Sequence, residues 1–315
     1  MFAGEKRYAG LTRVGWCYAL VLGLAAALRF VGLHFTQHTP WGRPDEEIFA
    51  NVATGLFTDW NTHYAAGGFP EAYFRWHHMV QVVLRWWWEL TGGESVHMGC
   101  AFVLEPWRFL VPVRYTSAAF GVGTVALLMS FAYRIAPRDF TRVERHSVAL
   151  SSGLFYAVNC LAARDAHFAV SDTCLLFFCT WMLQVLAKAI ALRKTRHAFL
   201  AGVAFGIASS IKWTGLPFGI IPFIALLWQL ARFGFDRRNI EALIFAPLGI
   251  AIGFAGTSWA VLTEPETFYT GLMNHTMRWT DVHFSVREGA VAQQGWIQHL
   301  RVAFPFAFGY PLFAV

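Results

Sequence analysis

Charge is what this sequence has least of. Only 14% of its 315 residues are Asp, Glu, Lys or Arg, where a soluble domain carries about 25%. With 56% hydrophobic residues and a mean hydropathy of +0.43, the composition is that of a membrane protein. Cysteine is also sparse. Cys17, Cys100, Cys160, Cys174 and Cys179 show no CxxC or zinc-type spacing, so neither a disulfide framework nor a structural metal is indicated. No P-loop, GxSxG or HExxH motif is found, which removes the common soluble chemistries. Internal repeats and low-complexity tracts are absent too. The net charge of +6 comes from basic residues in short loops between apolar runs. No basic helix or patch of the DNA-binding kind appears, so a nucleic-acid partner is excluded.

What the sequence has is apolar runs near spanning length. Seven complete segments and one partial one can be drawn, at about 14–33, 112–133, 147–163, 168–191, 198–214, 216–232, 240–262 and 302–315. Backbone in lipid must satisfy its own hydrogen bonds, so each is expected to be a helix. The stretch 198–232 could be divided differently, because Lys212 and Pro217 interrupt it. The run from Val14 to Leu33 is long enough to span and reads as a retained first helix rather than a signal peptide. The last run stops without a basic flank, so the chain is expected to be the N-terminal part of a longer protein.

Lys6, Arg7 and Arg13 place the N-terminus in the cytoplasm. Alternate loops then carry Arg134, Arg138, Arg142 and Arg145, next Arg193, Lys194 and Arg196, and next Arg232, Arg237 and Arg238. This is a positive-inside pattern. The other side receives the long loops 34–111 and 263–301 and most of the carboxylates. The segment His77–Leu90 is apolar but holds Arg85, Glu89 and the tryptophans 86–88. As a span it would invert every later loop, so an interfacial helix is expected. Gly202 and Gly206 form a small-residue packing site.

Two constellations could carry chemistry. In Arg43-Pro44-Asp45-Glu46-Glu47, Pro44 disfavours helix before it. The stretch Asp45–Leu56 reads as a helix with Asp45 as N-cap or first-turn residue. These acids could simply favour the helix N-terminus electrostatically. The second constellation is Arg164-Asp165-Ala166-His167 with Asp172. Arg164 could be a snorkelling end-cap, while Asp172 is expected several residues inside a span, where an ionisable group is expensive and suggests function. Arg114 and Lys212, at the outer ends of other spans, read the same way. By topology Asp45, Glu46, Arg114, Arg164, His167, Asp172 and Lys212 come to one depth near the outer interface. They offer a carboxylate base and several cations for a phosphate.

DEEIFANVA resembles the acidic first-loop motif of the GT-C fold glycosyltransferases. The order of VRYTSAAFGVGTVALL, AARDAHFAVSDTCLLFF, FLAGVAFGIASSIKWTGLPFGIIP and TEPETFY is similar to the protein mannosyltransferase and aminoarabinose transferase branch. The resemblance covers nearly the whole chain. It implies an all-α polytopic helix bundle with a long outer first loop carrying interfacial helices. It also implies a polyprenyl- or dolichyl-phosphate sugar donor and an acceptor protein, lipid or glycan on the outer face of the inner (plasma) membrane. Asp45 is then the candidate general base and Glu46 its neighbour, with Arg114, Arg164 and Lys212 near the donor phosphate and His167 and Asp172 in the substrate site. A single displacement would invert the anomeric centre. No cofactor is required by the sequence, although Asp45 and Glu46 could hold a divalent metal. Glu47 is extra to the family pattern, the loop 34–111 is rich in His and Trp, and the family's C-terminal helices and soluble domain are missing.

Two other classes compete. A secondary transporter or flippase of a lipid-linked or anionic substrate would place ionisable groups near the midplane and show repeat symmetry. A non-catalytic scaffold would not need carboxylates and cations to converge.

Overall fold

The computed structural model describes residues 12–35, 42–58, 71–91 and 98–273. The run expected at 302–315 and much of both long loops lie outside them. The described residues are helical throughout, with no strand among them.

The first helix, α1 (Arg13–Phe30), starts where the Thr12 hydroxyl accepts from the Gly15 N–H. Three helices follow before the bundle resumes: α2 (Pro44–Gly55), α3 (Ala72–Leu90) and α4 (Met98–Leu104). The bundle continues with α5 (Trp107–Ile135), α6 (Arg142–Ala157), the short α7 (Cys160–Asp165), α8 (Ser171–Leu192) and α9 (Thr195–Ile211). A 3-10 segment at Trp213–Gly219 leads into α10 (Ile220–Phe233), and α11 (Arg237–Thr257) and α12 (Ala260–Thr263) complete the named elements. Among the described residues five stretches are long and apolar enough to cross a membrane: Arg13–Phe30, Trp107–Ile135, Ser171–Leu192, Trp213–Phe233 and Arg237–Thr257. The chain is an all-α polytopic membrane protein.

Two of the differences from the hydropathy reading have a clear local reason. The run expected at 147–163 divides at Val158–Asn159. There the Asn159 side chain accepts from the Ala162 N–H at 2.9 Å and starts α7 afresh. The carbonyls left over at the end of α6 are taken by α1. The fully buried Arg29 donates to the oxygens of Ala157 and Tyr156, both at 3.0 Å. The stretch 198–232 breaks at Lys212, whose extended backbone ends α9 before the 3-10 segment.

Helices α9 and α11 approach backbone to backbone. A Cβ on Gly202 would lie 2.1 Å from the Ala246 oxygen, and one on Gly206 would lie 2.3 Å from the Ile250 oxygen. Gly249 and Gly253 answer from α11, with carbonyl oxygens of α9 at 2.2 and 2.3 Å. The small-residue site thus has a facing partner.

Helix α3 is amphipathic. Tyr73, Phe74, His77, His78 and Gln81 are buried, while Met79, Val83, Trp86 and Trp87 are exposed. The buried face joins Phe49 and Ala50 of α2, Phe109 and Val113 of α5, Cys174 of α8 and Ile211 of α9 in the largest apolar cluster. This cluster seats α2 and α3 on the end of the bundle where α1 and α9 finish and α5 and α8 begin.

Candidate active site

The head of α2 is built as its sequence suggests. Arg43 is extended, Pro44 is the first helical residue, and Asp45, Glu46 and Glu47 occupy the first turn. The three acids then part company. Glu46 is fully buried, Glu47 is exposed, and the Asp45 side chain is 49% exposed.

Glu46 and Arg114 form one unit. Glu46 Oε1 accepts from Arg114 Nε at 2.8 Å and Oε2 accepts from Arg114 NH2 at 2.7 Å, and both side chains are completely buried. The Ala169 N–H donates to Oε1 at 2.7 Å, and Arg114 NH1 donates to the Leu33 oxygen at 3.2 Å. The Arg114 guanidinium also lies over the Phe35 ring, 4.6 Å from its centroid. Glu46 thereby links the first turn of α2 to α5, to the residues before α8 and, through Arg114, to the chain after α1. With its two oxygens accepting three hydrogen bonds, Glu46 is committed to protein partners. Among the described residues no group of three or more His, Cys, Asp or Glu is placed to hold a metal ion.

Asp45 faces a second, more open cluster. Arg43 Nε lies 3.7 Å from Asp45 Oδ2, and Arg43 NH1 lies 3.6 Å from Asp165 Oδ1. Arg164 donates to the same Asp165 oxygen from Nε at 3.1 Å and NH2 at 2.8 Å. Arg43 therefore stands between the two acids, a bridging role not foreseen from sequence. His167 is held by backbone: Nδ1 is 2.7 Å from the Ala163 oxygen and Nε2 is 2.9 Å from the Val31 oxygen. It ties the turn after α7 to the end of α1.

Asp172 and Lys212 form a third group. Lys212 Nζ donates to Asp172 Oδ1 at 2.7 Å, with both side chains partly exposed. Asp172 sits in the first turn of α8, not several residues inside a span, because α8 begins only at Ser171. Tyr73 of α3 is buried within electrostatic reach of both Glu46 and Asp172. Burial, with a smaller contribution from these acids, pushes its hydroxyl well above the ordinary tyrosine range.

All seven residues singled out in the sequence thus lie at one end of the bundle, divided among three groups. Each of Arg114, Arg164 and Lys212 has a carboxylate partner. Sequence reasoning also passed over Glu71. Its buried carboxylate accepts from the Ala260 N–H at 2.6 Å and from Arg75 at 3.1 Å, fastening the start of α3 to α12. Its signal was the i,i+4 spacing to Arg75.

No individual curated protein matches the chain. Residues 109–258 match the family model described as dolichyl-phosphate-mannose-protein mannosyltransferase. The matched segment runs from α5 to the end of α11 and includes Arg114, Arg164, His167, Asp172 and Lys212, but stops short of Asp45 and Glu46. The family implies a lipid-phosphate-sugar donor. Taken with the polytopic helical fold, this match over just under half of the chain is consistent with a GT-C family glycosyltransferase.

Proposed function

We propose that the protein transfers one sugar from a polyprenyl- or dolichyl-phosphate carrier to an acceptor at the α2 end of the bundle, by a single inverting displacement with Asp45 as general base. The observation that carries this reading is the contrast between two adjacent acids. Glu46 is buried and fully bonded, whereas Asp45 is half-exposed beside it, on a helix end that Glu46 holds in place. A carboxylate fixed by its backbone yet open to solvent can take a proton from an acceptor hydroxyl as that oxygen attacks the anomeric carbon. The carbon–oxygen bond to the carrier phosphate breaks, and the phosphate leaves with the electron pair. In this reading Arg164 and Lys212 supply the positive charge that meets the charge growing on it. Arg114 acts through Glu46 and is a positioning residue in this scheme.

The basic loops at the opposite end support a cytoplasmic assignment for that end, with the α2 end on the outer face of the plasma membrane. Arg138→Cys should then be labelled by an impermeant thiol reagent only after permeabilisation. Labelling in intact cells would contradict the assignment. The acceptor reading follows the family description, which names a protein. The reaction is tested by incubating purified protein with a radiolabelled polyprenyl-phosphate sugar. Binding followed by transfer to an acceptor peptide is expected, and uptake into vesicles without transfer would favour a transporter.

A further inference from the structure

A cavity with a mostly apolar lining lies far from Asp45. It has a volume of about 270 Å³ and sits between α8, α9, α10 and α11. Its inner end is lined by Phe205 and Ile250, its middle by Ala201 and Leu226, and its rim by Lys194 and Arg238. From Lys194 to Phe205 along α9 is about 16 Å at 1.5 Å per residue. That is close to half of a hydrocarbon core about 30 Å thick. The groove therefore runs the depth of one leaflet, from the basic-loop end of the bundle towards the midplane.

The rim carries unmatched positive charge. Arg193 is paired with Asp236 and also bonds Asn239, and Arg237 is paired with Glu241. Lys194 and Arg238 are exposed and form no salt bridge among the described residues. A polar group also waits deeper in the groove. Gln229 is 6% exposed and lines the cavity, and its backbone oxygen accepts from Asn239 Nδ2.

We propose that this groove binds one acyl chain of an anionic glycerophospholipid from the leaflet at the basic end, with the headgroup phosphate between Lys194 and Arg238. The carrier lipid is a different occupant. Its phosphate must reach the α2 end, at the opposite face of the membrane, whereas this groove opens its charged rim at the basic end. The apolar walls accept the chain, the length matches one leaflet, and the net positive charge of a rim where Arg193, Lys194, Arg237 and Arg238 outnumber Asp236 and Glu241 selects an anionic over a zwitterionic headgroup. Each basic residue near a membrane surface contributes attraction of the order that makes two of them worth about tenfold or more in preference.

The test is native mass spectrometry of the full chain after exchange into mild detergent containing phosphatidylglycerol, phosphatidylcholine or polyprenyl phosphate. One phosphatidylglycerol should be retained, with about tenfold or greater preference over phosphatidylcholine. The Lys194→Gln/Arg238→Gln variant should lose the preference. Leu226→Trp, which fills the groove, should lose the bound lipid while keeping wild-type helical content by circular dichroism and wild-type binding of the sugar donor. Equal retention of the two phospholipids by the wild-type protein would overturn the proposal. So would a preference that survives the double substitution, or polyprenyl phosphate replacing phosphatidylglycerol in a manner that Leu226→Trp abolishes.

Discussion

Glu46 and Arg114 stand 68 residues apart in sequence and meet through two hydrogen bonds of 2.8 and 2.7 Å, with neither side chain touching solvent. A buried pair of this kind is costly to form and more costly to break. Glu46→Gln or Arg114→Ala leaves one charge without its counterpart and should destabilise the protein by about 3–5 kcal/mol. Arg114→Lys keeps the charge but loses the planar fork, so it should fall between wild type and Arg114→Ala. Thermal unfolding in detergent checks the order. Equal stability of wild type and Glu46→Gln would remove the pair as the anchor of α2.

The α9–α11 contact admits no side chain on the facing glycines. Gly206→Val places carbon where the Ile250 oxygen already lies, and should destabilise by about 1–3 kcal/mol or more. Gly23→Ala in α1 is the control. Nothing lies within 4 Å of its added methyl, and replacing a mid-helix glycine should be neutral or stabilising by up to about 1 kcal/mol. Denaturation midpoints of the two variants should therefore move in opposite directions, or only the first should move.

His77 gives the fold a pH dependence of known sign. The ring is fully buried in α3, and burial pushes its imidazole from the ordinary 6.5 down to about 3. Above pH 6.5 it is neutral both folded and unfolded. As the pH falls below 6.5 the unfolded chain takes up a proton that the folded protein refuses until about pH 3. Stability is thus lost across that window, by at most about 1.4 kcal/mol per pH unit from this group. Stability measured from pH 7 to pH 4.5 should fall less steeply in His77→Gln than in wild type. Parallel curves would show that His77 takes up its proton as readily in the fold as in the unfolded chain.

How much of this was legible in the sequence depends on how far apart the partners are. The start of α2 was legible because Pro44 and the acids after it act within one turn. The amphipathic α3 was legible from its mixture of tryptophans and charges. The break at Asn159 was not, because an asparagine side chain that accepts from a backbone N–H three residues on leaves hydropathy almost unchanged. Arg114, Arg164 and Lys212 were readable as unusual charges, but not their partners. Residue spacing says nothing of contacts made through tertiary packing, and each cation found a carboxylate: Glu46, Asp165 and Asp172. Arg29 lies within the first apolar run, and only the fold shows it closing the end of α6.

The most direct test of the account is sugar transfer by Asp45→Asn, measured beside donor binding in the same purified protein. The amide keeps the shape of the side chain and cannot take the acceptor proton. Transfer should drop by about 10²–10⁴-fold, the usual contribution of a general base, with donor affinity within about twofold of wild type and unfolding unchanged. Glu47→Gln, on the exposed side of the same turn, should leave transfer near the wild-type rate. An Asp45→Asn protein that folds, binds donor and transfers sugar at the wild-type rate would contradict the assignment of Asp45 as the base.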